Sequence, residues 1–555
     1  MAGGLFNLVS VGNNNIILTG SPTKTFFKVV YSKYTNFGLQ KFRIDYDGSR
    51  DLRLTTPSQF SFKIPRNADL LMDTYLSIYL PDIWSPIYNP STETNQLWSP
   101  YQFRWIENLG THIIKEIVVS CGSQVIQKVS GEYLHAFIER DFNADKKDLL
   151  NRMMGNTKEF NDPANAFGRQ NVYPNAFHTT NAAGAEPSIR GRNIYIPINL
   201  WFTLDSRCAF PLVCLQYNEL TITVTLRPIQ ELFQVKNIFD FSNNYPYIQP
   251  DFTQEQFQMY RFLQTPPDIN IIKGSNSYTN TTTTWNADIH LISTYAFLSE
   301  DERKLFAAED QMYLVKDVFQ YKFDNVAGTN RVSLTSNGMV SSWMWYFQRS
   351  DVYLRNEWGN YTNLPYIIGR LPSDCILASD KFSTQDETYP GKNPSATNSI
   401  SKNTQLFITD DFSPLNEKKI LQTMGILFNG DYRENLFQSG IYDYLEKYVR
   451  TAGSAKDGIY CYNFCLNTNP FKYQPSGAIN MSKFKDIQLE FTTYTPPLNP
   501  ETTFFQVVCD GDKNIIGVTK PNSFLYKYNY DLTVFEERYN ILSFMSGNAS
   551  MLYAR

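Results

Sequence analysis

The sequence predicts an all-β protein made of two consecutive sandwiches of about eight strands each, with a few short helices in loops. Aromatic residues make up 15% of the 555-residue chain, with 36 Tyr and 40 Phe, and these residue types suit a pleated, half-buried surface. Several segments alternate apolar and polar side chains with the period of two that a strand requires. The chain is also long for one hydrophobic core, so more than one domain is expected.

The alternating segments predict individual strands. They are LMDTYLSIYL (71–80), NELTITVTLRP (218–228) and KDIQLEFTTY (485–494), while HIIKEIVVSCGSQVIQKV (112–129) is typical of two strands around a turn at 121–123. Each segment has one apolar face, which we expect to lie in a core. The predicted inward-facing residues are Met72, Leu76, Ile78 and Leu80; Leu220, Ile222, Val224 and Leu226; and Ile487, Leu489 and Phe491.

Two segments have helical patterns. In LSEDERKLFAAEDQMYLV (298–315), Ser299 is a natural N-cap and Glu302 follows three residues later, so the pair predicts a capping box. In GEYLHAFIERDF (131–142), Tyr133, Phe137 and Arg140 recur at helical spacing. Both helices are interpreted as short insertions between strands.

The strand-rich segments fall into two blocks separated by a stretch rich in Pro, Asn and Thr. We therefore predict an N-terminal arm at 1–24, a first sandwich at 25–236, a linker with the start of the second domain at 237–285, and a second sandwich at 286–555.

Charge and cysteine content restrict the partners and the compartment. The net charge is −4 and no basic run is present. Because proteins that bind DNA usually show an excess of Lys and Arg, no direct nucleic-acid contact is predicted. The seven cysteines are odd in number and sparse, which favours reduced thiols in a reducing compartment over a disulfide framework or a zinc site. They are Cys121, Cys208, Cys214, Cys375, Cys461, Cys465 and Cys509.

No pattern of residues indicates catalysis. The four histidines (His112, His135, His178 and His290) show no metal-ligand spacing, and Gly391-Lys392 is followed by Asn393 where a phosphate loop needs Ser or Thr. No Gly-x-Ser-x-Gly nucleophile elbow is present. The sequence therefore predicts a protein that is not an enzyme, with no catalytic, cofactor-binding or metal-binding residue.

The first 23 residues carry no charged side chain, and Lys24 is the first. The stretch is too interrupted for a signal peptide or a membrane span, and Ala2 stands where myristoylation needs Gly. Two interpretations remain, a frayed terminus or an arm that finishes folding against a partner.

Five motifs are spread along nearly the whole chain. They are MAGGLFNLVSVG at the start; Arg66, Asn67, Asp69 and Leu70; LSEDERKLFA (298–307); YQPSGAINMSKF (473–484); and YNILSFMSG (539–547). Together they resemble the major capsid proteins of nucleocytoplasmic large DNA viruses of algae and other protists. They are similar, in this order, to that family's N-terminus, its Arg-Asn-x-Asp-Leu strand, its Asp-x-x-Glu-Arg helix, its Gln-Pro-Ser-Gly turn and its closing motif.

The resemblance implies a double jelly roll and a structural role. It implies a homotrimer that forms a pseudo-hexagonal capsomer, neighbouring capsomers that tile an icosahedral virion shell, and minor capsid proteins and an internal membrane beneath that shell. Synthesis and assembly would take place in the host cytoplasm. Two alternatives stay open: a double jelly-roll scaffolding protein that leaves before the virion matures, and a carbohydrate-binding β-sandwich.

Overall fold

The computed structural model is dominated by antiparallel strands. It describes residues 16–88, 99–100, 102–176, 185–238, 247–267, 270–271, 278–363, 407–408, 418–453, 456–495, 506–509, 515–519 and 528–553. The helices within these ranges are short, and none is long and apolar enough to cross a membrane. They are α1 Ile16–Thr19, α2 Leu109–His112, α3 Gly131–Asp141, α4 Ala144–Met153, α5 Lys158–Asn161, α6 Trp201–Leu204, α7 Glu300–Ala308 and α8 Glu446–Arg450.

The first half of the chain forms a sandwich of two main sheets. The larger sheet has the order β1-β15-β3-β10, with β9 also on β3, and the smaller has the order β2-β11-β7-β8. The strands are β1 Phe37–Asp45, β2 Ser58–Lys63, β3 Leu70–Leu80, β4 Ile87–Tyr88, β5 Ser99–Pro100, β6 Phe103–Trp105, β7 Ile114–Cys121, β8 Gln124–Ser130, β9 Arg192–Pro197, β10 Phe210–Pro211, β11 Leu220–Leu226, β12 Phe233–Lys236, β13 Tyr247–Ile248, β14 Asn270–Ile271 and β15 His290–Leu298.

The second half forms a second sandwich. Its larger sheet has the order β16-β27-β18-β22, with β23 on β18 and β28 on β27, and its smaller sheet has the order β17-β24-β20-β21. The strands are β16 Gln311–Phe323, β17 Thr329–Ser333, β18 Met339–Arg349, β19 Phe407–Ile408, β20 Leu421–Phe428, β21 Asp431–Gln438, β22 Ile459–Asn463, β23 Ile479–Asn480, β24 Ile487–Thr493, β25 Gln506–Cys509, β26 Ile515–Thr519, β27 Tyr530–Met545 and β28 Asn548–Met551.

The two sandwiches repeat one topology. Strands β1, β15, β3, β9 and β10 occupy the same places in their sheet as β16, β27, β18, β22 and β23 in theirs. The smaller sheets correspond in the same way, because β2-β11-β7-β8 matches β17-β24-β20-β21. In both halves a hairpin of the smaller sheet leads directly into a helical segment, α3 in the first half and 441–450 in the second.

The strands predicted from alternation are present. Strand β11 alternates buried and half-buried residues along its whole length, and β24 does the same. In β3 the predicted inward residues Leu76, Ile78 and Leu80 are buried, but Met72 is only half-buried and Leu71 is buried in its place. The register between β3 and β15 shifts near this point, and such a bulge exchanges the two faces of a strand.

The sheet pairing corrects the predicted boundary between the halves. Strand β15 lies between β1 and β3 in the first sandwich, although the sequence analysis assigned residues from 286 onwards to the second. The chain leaves the two main sheets of the first sandwich after β11 and comes back to them at β15. Strands β1 and β3 do not pair with each other, and β15 pairs with both of them. We propose that the boundary follows Leu298.

Helix α7 begins where the sequence predicts, but its predicted cap is absent. Ser299 is the N-cap residue and its carbonyl accepts a hydrogen bond from the Arg303 N–H at 2.9 Å, yet its side chain makes no capping bond. Oε2 of Glu302 also has no hydrogen-bond partner among the described residues, so no capping box forms. The helix instead has Glu300, Asp301 and Glu302 in its first turn, where carboxylates interact favourably with the helix dipole.

We therefore expect Ser299→Ala to lower the free energy of unfolding by less than about 0.5 kcal/mol, rather than the ~1 kcal/mol of a working N-cap. Urea titration of the variant and the wild type measures this difference. Asn143→Ala is a matched control, because the Asn143 side chain accepts a bond from Lys146 N at the start of α4 and its loss should cost about 1 kcal/mol. A full 1 kcal/mol loss for Ser299→Ala would show that its hydroxyl does cap the helix.

Candidate functional site

Helix α3 lies between the two sandwiches. The Ser130 side chain caps it by accepting a hydrogen bond from Tyr133 N, and Glu132 adds negative charge to its first turn. A Cβ on Gly131 would lie 2.1 Å from the carbonyl oxygen of Ile114, so only glycine fits at this entry. The predicted helix is thus present, but it forms the contact between the two halves and is not a mere loop insertion.

A buried cluster of charges ties α3 to the second sandwich. Nη2 of Arg140 lies 2.7 Å from Asp141 Oδ2 and 2.7 Å from Glu537 Oε1, and both carboxylates are buried. Glu537 on β27 also accepts hydrogen bonds from the hydroxyls of Tyr133 at 2.9 Å and Ser342 at 2.7 Å. Because every one of these groups is partnered, the cluster can hold the two sandwiches in one orientation.

Neighbouring cations keep the buried carboxylate of Glu537 ionised. Burial alone would raise the pKa of Glu537, but the cations Arg140 and Lys316 lower it to about 2. The two carboxylates in turn raise the pKa of Arg140 well above its ordinary value despite its burial. For Asp141 burial outweighs the attraction of Arg140 and raises the pKa. Arg140 donates hydrogen bonds to both carboxylates, and the bond to Glu537 is the one that crosses from α3 to β27.

The motifs behind the family resemblance meet where the halves join. Asp69 accepts a hydrogen bond from the Leu298 N–H at 2.9 Å and pairs with Arg303 of α7 at 2.9 Å. The carbonyl of Gly547, in the closing motif, accepts a hydrogen bond from the Gln216 N–H at 3.0 Å. Gln474 and Ser476 of the Gln-Pro-Ser-Gly turn help to line a cavity of about 100 Å³ beside Tyr133 and Phe137 of α3. These motifs therefore serve the joining of the two sandwiches.

Two histidines lie together in the core. The rings of His112 and His135 have centroids 4.8 Å apart, and both residues are buried. Neither nitrogen of His112, nor Nε2 of His135, has a hydrogen-bond partner among the described residues. Burial lowers the pKa of both imidazoles well below the ordinary value, with Arg227, Lys456 and Lys147 adding to the effect.

This pair predicts acid sensitivity. Because the fold favours neutral imidazoles, protonation of these histidines favours the unfolded chain. The stabilisation is fully present above pH ~6.5, the pKa of histidine in the unfolded chain, and it is lost as the pH falls towards the lower pKa values of the folded protein. The expected slope is up to about 1.4 kcal/mol per pH unit for each histidine. Urea titrations between pH 7.5 and 5.5 should show it, and His135→Gln should reduce it by about half. An unchanged slope in that variant would exclude His135 as a contributor.

Five cysteines carry free thiols in the described part of the chain. Cys121, Cys208, Cys461 and Cys465 are buried and Cys214 is half-buried, so they pack as small apolar side chains. Burial raises the pKa of Cys208 and Cys214 to about 11. Within the described ranges no group of three or more His, Cys, Asp or Glu side chains could hold a metal ion. Cys375 and His178, and the side chain of Cys509, lie outside what the structure describes.

A long apolar segment precedes the first sandwich. Residues 20–36 form no strand or helix, and β1 begins only at Phe37, so the exposed segment extends beyond the predicted end of the arm at residue 24. Phe26, Phe27, Val29 and Tyr34 are each more than four-fifths exposed. A single chain rarely leaves so much contiguous apolar surface in water, which marks the segment as a candidate contact with a partner. The first 15 residues of the leader lie outside the described residues.

The fold matches that of known viral shell proteins. Solved structures of similar fold include PBCV-1 VP54, with a TM-score of 0.59, 18% identity and coverage of 96% of this chain and 100% of that one. The Faustovirus major capsid protein follows with a TM-score of 0.57, 13% identity and 98% coverage of each chain. The two repeated sandwiches are therefore a double jelly roll, the class of fold that the sequence analysis predicted.

Sequence comparisons identify the family. The model "Major capsid protein N-terminus" matches residues 25–285, and "Large eukaryotic DNA virus major capsid protein" matches residues 302–550. The major capsid proteins of Phaeocystis pouchetii virus and Paramecium bursaria Chlorella virus 1 are 22% and 24% identical to this chain, each over the full length of both proteins. The chain belongs to the major capsid proteins of large eukaryotic DNA viruses.

Membership in this family favours a capsid protein over the two alternative functions considered in the sequence analysis. The protein is a structural component of a virion capsid shell and not an enzyme, as predicted. The scaffolding and carbohydrate-binding alternatives lose their support, since the family consists of major capsid proteins.

Proposed function

We propose that three copies of this chain form a pseudo-hexagonal capsomer, and that such capsomers tile an icosahedral shell over an internal membrane. The observation that carries the proposal is the repeated topology of the two sandwiches. Three chains would supply six similar sandwiches, which can surround one axis in nearly equivalent positions while the chains obey three-fold symmetry. The resemblance to the family supplies the number three.

The proposed partners are a second and third copy of the chain, neighbouring capsomers, and minor capsid proteins and the membrane beneath the shell. Assembly would take place in the host cytoplasm. The exposed segment at 16–36 supports contacts beyond the trimer, because it lies before β1 and contributes no strand to the first sandwich. Direct contact with nucleic acid is not part of the proposal, since the chain has a net charge of −4.

Light scattering on the purified protein tests the trimer. The expected mass is three times 64.1 kDa, or about 192 kDa, and electron microscopy should show pseudo-hexagonal particles. A stable mass of 64.1 kDa over a wide range of concentration would contradict the proposal.

A further inference from the structure

Helix α3 of the first jelly roll packs against the larger sheet of the second. Tyr133 and Phe137 lie one helical turn apart on the side of α3 that faces β27. The Tyr133 ring packs edge-on against Phe535 with centroids 5.6 Å apart, and its hydroxyl donates to Glu537. An aromatic pair from one sandwich is thus buried on the outer face of the larger sheet of the other.

The second sandwich carries an equivalent helical segment that is left uncovered. It follows the β20–β21 hairpin as α3 follows β7–β8, and both segments start with Ser-Gly-x-Tyr, at 130–133 and at 439–442. A π-helical turn at Ile441–Leu445 leads into α8. The counterpart of Tyr133 in this alignment is Tyr442, which is buried in the core of its own sandwich. The exposed apolar surface of the segment is instead formed by Tyr444 and Tyr448, which are 57% and 90% exposed, and by Leu445 and Val449, which are 55% and 65% exposed.

The surface that α3 covers also has an equivalent, which is only partly covered within the chain. On the second sandwich, Phe535, Met344 and Cys461 form one row across β27, β18 and β22, and all three are fully buried. The corresponding row on the first sandwich crosses β15, β3 and β9 and consists of Ile292, Tyr75 and Pro197. These three residues are only half-buried, and in the next row Tyr195 is 39% exposed.

A pocket lies beside this partly covered row. It has a volume of about 310 Å³, and its lining includes Tyr75, Pro197, Leu149, Met153 and Phe471. Leu149 on α4 is 57% exposed at its rim. The lining also includes polar side chains, namely Asp73, Thr74, Lys146, Asn199 and Thr203. The pocket therefore combines aromatic and aliphatic walls with polar groups, at the place where, by the repeat, a neighbouring helical segment should arrive.

We propose that the 441–450 segment of one chain docks on the outer face of the β1-β15-β3-β9 sheet of a second copy, with Tyr448 entering the pocket beside Tyr75. The contact would place a helical segment of one sandwich on the larger sheet of another, as α3 does within one chain, but through different side chains. It joins two different surfaces, so it passes from copy to copy and closes a ring when the rotation permits. This inference rests on the proposed trimer and assigns the surfaces that hold it together.

Tyr448→Glu tests the helical side of the contact. Because the wild-type side chain is 90% exposed in the single chain, the variant should fold with an unchanged circular dichroism spectrum. Its mass should fall from about 192 kDa to 64.1 kDa, since glutamate lacks the aromatic ring that fills the pocket and adds a charge that must be desolvated. Tyr217→Glu is the matched control, because Tyr217 is 75% exposed outside both surfaces and its variant should remain trimeric.

Leu149→Glu tests the receiving side and should also yield a 64.1 kDa species. A mixture of the two variants gives a sharper result. The Leu149→Glu chain keeps an intact helical segment and the Tyr448→Glu chain keeps an intact pocket, so one good contact can form and no ring can close. The expected product is a complex of two chains, about 128 kDa, with no trimer.

The outcomes separate the two proposals. A wild-type protein that stays monomeric overturns the trimer and this inference together. A wild-type trimer that persists in both Tyr448→Glu and Leu149→Glu leaves the trimer standing and overturns the assigned surfaces. Monomeric single variants whose mixture remains monomeric would show that the two surfaces do not meet each other.

Discussion

Arg140→Met is expected to lower the free energy of unfolding by about 3–5 kcal/mol, the usual cost of removing one partner from a buried ion pair. Methionine fills much of the space but leaves Glu537 and Asp141 buried without their guanidinium. Since Glu537 belongs to β27 and Arg140 to α3, the loss should fall on the contact between the sandwiches. Urea titration followed by tryptophan fluorescence measures it, and separation into two unfolding transitions would indicate that the halves have become uncoupled.

The controls for this prediction use the same chemistry. Arg152→Met removes an exposed arginine that pairs with Asp148, and it should change stability by less than about 0.5 kcal/mol. The double variant Arg140→Met with Glu537→Gln removes charge from both partners and should recover part of the loss. If Arg140→Met costs no more than Arg152→Met, the cluster does not hold the sandwiches together.

Deletion of residues 2–22 should leave folded trimers but abolish or severely impair shell formation. Ile16, Ile17 and Leu18 in the deleted stretch are exposed, as are large apolar side chains in the segment that follows it. Each one fully covered in an assembly contributes about 1.5–3 kcal/mol. Scattering mass reports the trimer, and electron microscopy reports shells or sheets. Loss of the trimer would show that the leader belongs to the trimer interface, and unimpaired shells would show that it is a frayed end.

Because the exposed segment continues to residue 36, a full-length variant sharpens this test. Phe26→Ser, Phe27→Ser and Val29→Ser together remove apolar surface without shortening the chain, and they should also impair assembly. Lys24→Gln, Lys28→Gln and Lys33→Gln change the same segment in charge alone. We expect this control to assemble like the wild type, because the proposed contact depends on apolar burial.

Features encoded by neighbouring residues could be predicted from the sequence. The alternation in Leu220–Leu226 produced a strand because side chains two residues apart share a face, and α3 followed from the spacing of Tyr133, Phe137 and Arg140. The family followed from motifs of a few residues each. The error at Met72 arose from a bulge, which depends on the partner strand and leaves no mark in the alternation of β3 itself.

The sequence by itself determined the strand-rich fold class, the double jelly roll through family motifs, the uncharged leader and the absence of recognisable catalytic motifs, since all of these depend on composition or short-range order. The tertiary structure decided which distant residues meet. Arg140 and Glu537 are 397 residues apart, and β15 returns to the first sandwich after a long excursion. The proposed contact between the outer face of β3 and β9 and the 441–450 segment could be inferred only by comparing the two sandwiches, whose sheets repeat one topology. Such pairings depend on chain topology and burial, which no local pattern of side chains records.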